Sequence, residues 1–308
     1  GHQQHRLASQ TPQTYKNNPP AKPTAGHWFV LAAAVLWGTT GTAQAFAPAG
    51  AQPVVIGALR LAIGGSALLI LATLRGSLNR GQNWLTAPAG LASLSMAAYQ
   101  LLFFAGVART GVAVGTIVAI GSAPVLAGLL GYLTGRERLE RRWFLATLVA
   151  ITGCAFIILP GGNTSIDPTG FILTLGAGLA YATYALASKA LVEQHAPDAV
   201  VAVVFSGGAI LLSPILFRGD LGWLAVPRGL GVALHLGLFA TAAAYILFSR
   251  GLQAIPVASA VTYSLAEPLT AAALGVLLLG EDLTVAMLVG MGMVFAGLAI
   301  LAGTRDKG

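Results

Sequence analysis

The sequence predicts an all-α membrane protein, with ten transmembrane helices arranged as two inverted five-helix repeats around a central cavity. Three observations lead there: an apolar composition, a long self-match, and the uneven placement of Lys and Arg. Hydrophobic residues make up 56% of the 308-residue chain and charged residues 9%, which is outside the range of soluble domains. Displaced by 144 residues, the second half falls on the first. Pro124 to Leu139 reads PVLAGLLGYLTGRERL against PLTAAALGVLLLGEDL at Pro268 to Leu283, with seven of sixteen positions identical. A composition this rich in Ala, Leu and Gly would give about two by chance. The same register pairs Gly64 with Gly208, Phe104 with Phe248 and Gly153 with Gly297.

About 20 apolar residues are needed to cross the hydrocarbon. Between charged or Pro/Gly-rich breaks, the first repeat (27–159) offers five such runs, at 27–47, 53–74, 86–108, 112–134 and 142–159. The second (169–303) offers five more, at 169–190, 198–217, 229–251, 257–279 and 284–302. The first run is a full span that continues into the repeat, so it reads as helix 1 and not as a cleavable leader. Helix 2 follows Pro53 and carries Arg60 inside the span; helix 3 ends at Arg109. Helix 4 has Pro124 near its middle, and the arginine-rich loop from Arg136 to Arg142 separates it from helix 5. Residues 160–168 read as a periplasmic linker. Helix 6 ends at Lys189, helix 7 stops at Arg218, helix 8 stops at Arg250, helix 9 contains Pro268, and helix 10 follows the polar break after Gly280. Residues 1–26 are polar and rich in Gln and Pro, which predicts a disordered cytoplasmic tail. Residues 304–308 form a short cytoplasmic C-terminus.

Basic residues near span ends stay cytoplasmic. With the N-terminus inside, thirteen Lys and Arg fall on the cytoplasmic side and only Arg109, Arg218 and Arg228 on the other. Both termini are then cytoplasmic, in a multi-pass membrane protein. Five spans per repeat make the second unit enter from the side opposite to the first, so the repeats are inverted. Glu137 and Glu281, a matched pair, come to opposite surfaces, where each reads as a polar stop at the end of a span. Inverted repeats suit alternating access around a midplane site. Pro124 and Pro268 each remove a helical hydrogen bond near mid-membrane, and as an equivalent pair they read as bends or hinges lining a shared cavity.

Ionisable groups inside a membrane are costly, about 2.5 to 3.5 kcal/mol each on insertion scales. Glu267 is the deepest. With Ser259, Tyr263 and Thr270 it falls at helical spacings of four, four and three, forming one polar stripe on helix 9. The first-repeat equivalents are Gly115, Ala119, Ala123 and Leu126. Glu267 reads either as a buried helix–helix hydrogen bond or as cavity lining. Arg60 reads either as a snorkelling side chain or as the partner of an acid such as Glu267. His235, at similar depth in helix 8, is compatible with substrate or proton binding and with hydrogen-bonded packing. Trp37, Thr40 and Gln44 share one face of helix 1. Tyr99, Tyr181, Tyr184 and Tyr245 lie at mid-span, away from the interfacial belts that ordinarily account for Tyr. Together they suggest a roomy aromatic-lined cavity.

The ten-span plan, the duplicated Pro124 to Leu139 segment and the early Leu36-Trp37-Gly38-Thr39 resemble the EamA-type drug/metabolite transporter superfamily, over residues 27–302. Within it the chain is most similar to bacterial amino acid exporters, including the aromatic amino acid branch. The resemblance implies a secondary transporter of the bacterial inner membrane that uses no ATP; separately, the sequence contains no Walker A motif.

The residues also constrain the cargo. Phosphorylated sugars call for several deep cations, and Arg60 alone is well placed. A zwitterion or neutral amphiphile fits better, which predicts export of neutral, hydrophobic or aromatic amino acids and related metabolites. Other amphiphilic metabolites or drugs, or a channel-like facilitator, remain the alternatives. The net charge of +7 is spread over cytoplasmic connections with no aromatic-interleaved patch, so no nucleic-acid partner is expected. The expected partners are a small-molecule substrate and the lipid bilayer. Cys154 is the single cysteine, and no HExxH or GxSxG motif occurs, so neither metal, cofactor nor enzymatic activity is expected.

Overall fold

A computed structural model of the chain describes residues 23–78, 81–161 and 167–303. Residues 1–22 of the expected tail, 162–166 of the expected linker and the 304–308 terminus lie outside the described residues.

Every long element is a helix, and no strand occurs among the described residues. The spans are α1 (Pro23–Gly38, resumed as Thr40–Ala45), α2 (Pro53–Leu74), α3 (Ala87–Thr110), α4 (Val112–Leu133) and α5 (Arg141–Ile158). The second set is α6 (Pro168–Val192), α7 (Pro197–Arg218), α8 (Pro227–Ala254), α9 (Val257–Leu279) and α10 (Val285–Ala302). Among the described residues nine of them, α2 to α10, are long and apolar enough to cross a membrane. The first is expected as one run and is instead broken at Thr39. Proline opens α2, α6, α7 and α8, where its missing N–H costs no helical hydrogen bond. One residue, Gly111, joins α3 to α4 at φ +82°, a conformation that side chains with a Cβ resist.

The spans expose large apolar side chains outward: Leu74, Phe217 and Leu277 are each more than three-quarters exposed. In water such a surface would aggregate, whereas in a bilayer it is the lipid-facing surface of a multi-pass membrane protein. Lipid supplies no hydrophobic drive between helices, so close backbone approach must hold them together. Glycines provide it. A Cβ on Gly153 of α5 would lie 2.6 Å from the Gly290 carbonyl of α10, and one on Gly297 would lie 2.7 Å from the Ala146 carbonyl. Adding 144 turns Ala146 into Gly290 and Gly153 into Gly297, so the two contacts are equivalents with the halves exchanged. As numbers rise along α5 they fall along α10; the matched helices run antiparallel. The other principal pairings obey the same exchange: α2 packs on α7, and α3 on α6 as α8 on α1.

Among the described residues three irregularities interrupt the helices: the break at Thr39, a π-helix from His235 to Ala243 in α8, and a 3-10 turn from Ser264 to Ala266 in α9. The last follows from Pro268. With no N–H at 268, the Ser264 carbonyl takes the Glu267 N–H instead, which closes a tighter i+3 turn. The matched Pro124 sits inside a continuous α-helix. The two prolines, expected as paired bends, therefore have different local geometries.

Candidate functional site

A cavity of about 950 Å³ is lined by residues of both sequence repeats. Its lining runs from Trp37, Arg60, Tyr181 and Glu267 at mid-bundle to Val112, Pro160, Glu281 and Asp282 at the end opposite the arginine-rich loop. Of the residues expected there, Trp37, Thr40, Gln44, Arg60, Tyr99, Tyr181, Tyr245, Glu267 and Pro268 line it.

The aromatic wall is built around two equivalent positions. Trp37 and Tyr181 are 144 residues apart, and their rings meet edge to face with centroids 6.2 Å apart. Tyr245 packs on Trp37 at 4.9 Å and Tyr99 on Tyr181 at 6.0 Å. Such tilted and edge contacts suit the ring quadrupoles. Phe103, one helical turn beyond Tyr99, stacks on it at 5.7 Å and extends the wall.

Arg60 is held by the irregular part of α8. Its Nε donates to Thr241 Oγ1 at 2.9 Å, and an Nη donates to the Ala240 carbonyl at 3.0 Å. Thr241 in turn donates to the Leu236 carbonyl five residues back, at 2.8 Å. The wide π turn thus supplies acceptors that stand in for water around the guanidinium and aim it, and π segments are frequent at functional sites. The expected Arg60–Glu267 pair is not formed: both side chains line the cavity, but the ion pairs among the described residues do not include them. Arg60 has nearer acceptors on α8.

Five expected lining residues lie elsewhere, the first of them Pro124, which is buried in α4 outside the lining. Ser259 and Tyr263 line a second, smaller cavity near the arginine-rich loop. The reason is the 3-10 turn: at 120° per residue instead of 100°, three residues rotate the face by about 60°. Ser264 takes the place beside Glu267 in the main cavity, and Thr270 packs against Gly38. Tyr184 is fully buried behind Tyr181, between Phe205 and Phe248. His235 lies outside the lining and bonds through Nε2 to Thr39 Oγ1 at 2.8 Å. Since that hydroxyl donates to the Leu36 carbonyl, the imidazole is the donor, and His235 ties the break in α1 to α8.

Gln100, Thr116 and Ser264 also line the cavity and were not singled out by sequence; Glu281, expected only as a polar stop, lines it too. Gln100 was legible as a polar residue at mid-span beside Tyr99. Ser264 was hidden by the change of helical period.

Known proteins resemble this chain in sequence and in fold. The profile of the EamA-like transporter family matches residues 24–159 and again 168–303. The uncharacterized transporter YwfM of Bacillus subtilis (strain 168) is 46% identical over 279 residues, covering 91% of this chain and 94% of the relative. The threonine/homoserine exporter RhtA of Escherichia coli (strain K12) is 30% identical over 272 residues, 87% of each chain. A solved crystal structure aligns with a TM-score of 0.78 at 21% identity, covering 90% of this chain and 98% of the other, a likeness of fold alone. With both repeats matched in tandem and a long relative at 46% identity, the chain belongs to the EamA-like transporter family.

Proposed function

We propose that this transporter exports neutral amino acids, chiefly hydrophobic or aromatic ones, and related metabolites across a bacterial inner membrane by alternating access. One observation carries the reading: a single guanidinium and a carboxylate, Arg60 and Glu267, stand unpaired with each other at the depth of an aromatic wall. A zwitterion supplies the missing partners. Its carboxylate faces Arg60, which has five N–H donors and spends two on α8. Its ammonium faces Glu267, and its side chain lies against Trp37, Tyr181 and Tyr245. Among the described residues Arg60 is the one basic residue in the lining, too few for phosphorylated cargo.

The antiparallel pairing of α5 with α10 supports an inverted relation of the repeats, and the arginine-rich loop supports a cytoplasmic position for that end. In that orientation the cavity is open to the outside. Its volume is at the upper end of the roughly 300 to 1,000 Å³ usual for ligand sites, so an amino acid fills only the deep part and closure completes the site. The exporter relative supports the amino acid class. Because its name specifies threonine and homoserine, and Thr40, Thr116 and Ser264 add hydroxyls to the lining, small hydroxylated amino acids are the second reading.

Proteoliposome counterflow tests this. Phenylalanine and leucine are expected to show saturable, trans-accelerated exchange, with threonine weaker; the reverse order favours the second reading, and flux without trans-acceleration favours a channel. Glu267→Gln is expected to lower exchange about tenfold or more, the loss of one charge-assisted contact. Transport of a phosphorylated sugar with no amino acid flux would overturn the proposal.

A further inference from the structure

The second cavity, about 300 Å³, shares no lining residue with the first. Shifted by 144, most of its residues land on the lining of the larger one, among them Glu137 on Glu281, Trp143 on Met287, Tyr263 on Ala119 and Leu301 on Ile157. It is the same structural feature seen at the other end of the bundle, but shut.

A seam of hydrogen bonds shuts it. The Glu137 carboxylate, from the α4–α5 loop, accepts from the backbone N–H groups of Val257 and Ala258 in the first turn of α9, the latter at 3.0 Å. Trp143 Nε1 donates to Thr262 Oγ1 at 3.1 Å, and Thr147 meets the same hydroxyl at 3.0 Å. Glu137 is thus more than the polar stop its sequence position suggests.

Glu281 sits in a copy of the Glu137 loop. The Glu137 N–H donates to the Gly131 carbonyl and the Glu281 N–H to the Gly275 carbonyl, both at 3.1 Å, and each glycine leaves room for the carboxylate beside it. Yet Glu281 is exposed at the cavity mouth, and no hydrogen bond to its carboxylate is found among the described residues. The N–H groups equivalent to those held by Glu137 belong to Ala113 and Val114. They lie in the first turn of α4, where a helix has no acceptor of its own for them.

We propose that the second cavity is the closed inner vestibule of the same path, and that Glu137 and Glu281 are alternating latches. In this state Glu137 holds α9 and Glu281 is released. In the opposite state Glu281 accepts from Ala113 and Val114, Glu137 lets go, and Ser259 and Tyr263 join the path. The inference rests on alternating access, but not on the identity of the substrate.

Labelling without substrate tests it. In a Cys154→Ser background, Ser259→Cys reports on the inner vestibule and Thr116→Cys on the outer, each exposed to a membrane-impermeant maleimide in vesicles of defined orientation. Glu137→Gln is expected to raise Ser259→Cys labelling several-fold and lower Thr116→Cys labelling. Glu281→Gln, which removes nothing this state uses, is expected to do the reverse, and it carries the test alone if Glu137→Gln does not insert. Rates that rise together, fall together or stay unchanged overturn the latches. Because no amino acid is present, a failed substrate assignment leaves the labelling outcome intact.

Discussion

At the scale of single residues, the cavity depends on how Arg60 is aimed. Thr241 accepts from its Nε at 2.9 Å, and its methyl faces Gly64 of α2, so hydroxyl and methyl do separate work. Thr241→Val keeps the packing and removes the acceptor. A hydrogen bond to a charged group contributes about 1.5 to 3 kcal/mol, so the half-saturation constant for a zwitterion is expected to rise roughly 10- to 100-fold with maximal flux retained. Thr241→Ser is expected to restore it. An unchanged half-saturation constant in Thr241→Val would show that Arg60 needs no such guide. Much of this site was legible: a Glu, an Arg and several Tyr at mid-span have no simple lipid-facing explanation, and depth identified them. Ser259, Tyr263 and His235 were misplaced because depth says nothing of which way a side chain points.

At the scale of elements, periodicity locates helices well and their interruptions poorly. Pro268 advertised a disturbance in α9, but its form, a 3-10 turn that swings Ser264 toward the cavity, depends on which carbonyl recaptures which N–H. The π segment of α8 had no such marker. No proline lies between His235 and Ala243, and the matched stretch of α3 is ordinary α-helix. The glycine contacts, in contrast, were legible as a repeated Gly153 and Gly297. Gly153→Leu places a branched side chain where a Cβ alone meets the Gly290 carbonyl at 2.6 Å. Overpacking of this kind costs about 1 to 3 kcal/mol, so thermal unfolding of the solubilised protein is expected several degrees lower. Gly292→Leu, on the same α10 with nothing within 4 Å of its Cβ, is the control and is expected to melt like the parent.

At the scale of the whole molecule, the two ends are not equal partners in exchange. Glu137 apart, the arginine-bearing end is held by polar contacts whose counterparts at the other end are missing from the sequence. Asp198 bridges Arg75 at 2.5 Å and Arg250 at 3.6 Å, while the equivalents of Asp198 and Arg250 are Val54 and Gly106. Lys189 donates to the Leu252 and Ile255 carbonyls; its equivalent is Ala45. Trp143, Thr147 and Thr262 correspond to Met287, Met291 and Val118. Under the proposed alternating access, the mirror-image state would lack most of the polar seam, and the conformation closed at this end is expected to be the more stable one. Apparent affinity at a face falls by the fraction of molecules open to it. In the proposed orientation, half-saturation is accordingly expected to be higher from the cytoplasmic face than from the outside. Thr262→Val removes the shared partner of Trp143 and Thr147. At about 1 kcal/mol for each of the two lost bonds, it is expected to lower the cytoplasmic half-saturation constant roughly 10- to 30-fold while the external one stays within about twofold. Equal constants at the two faces of the parent, measured in vesicles of opposite orientation, would mean that the seam does not set the resting state.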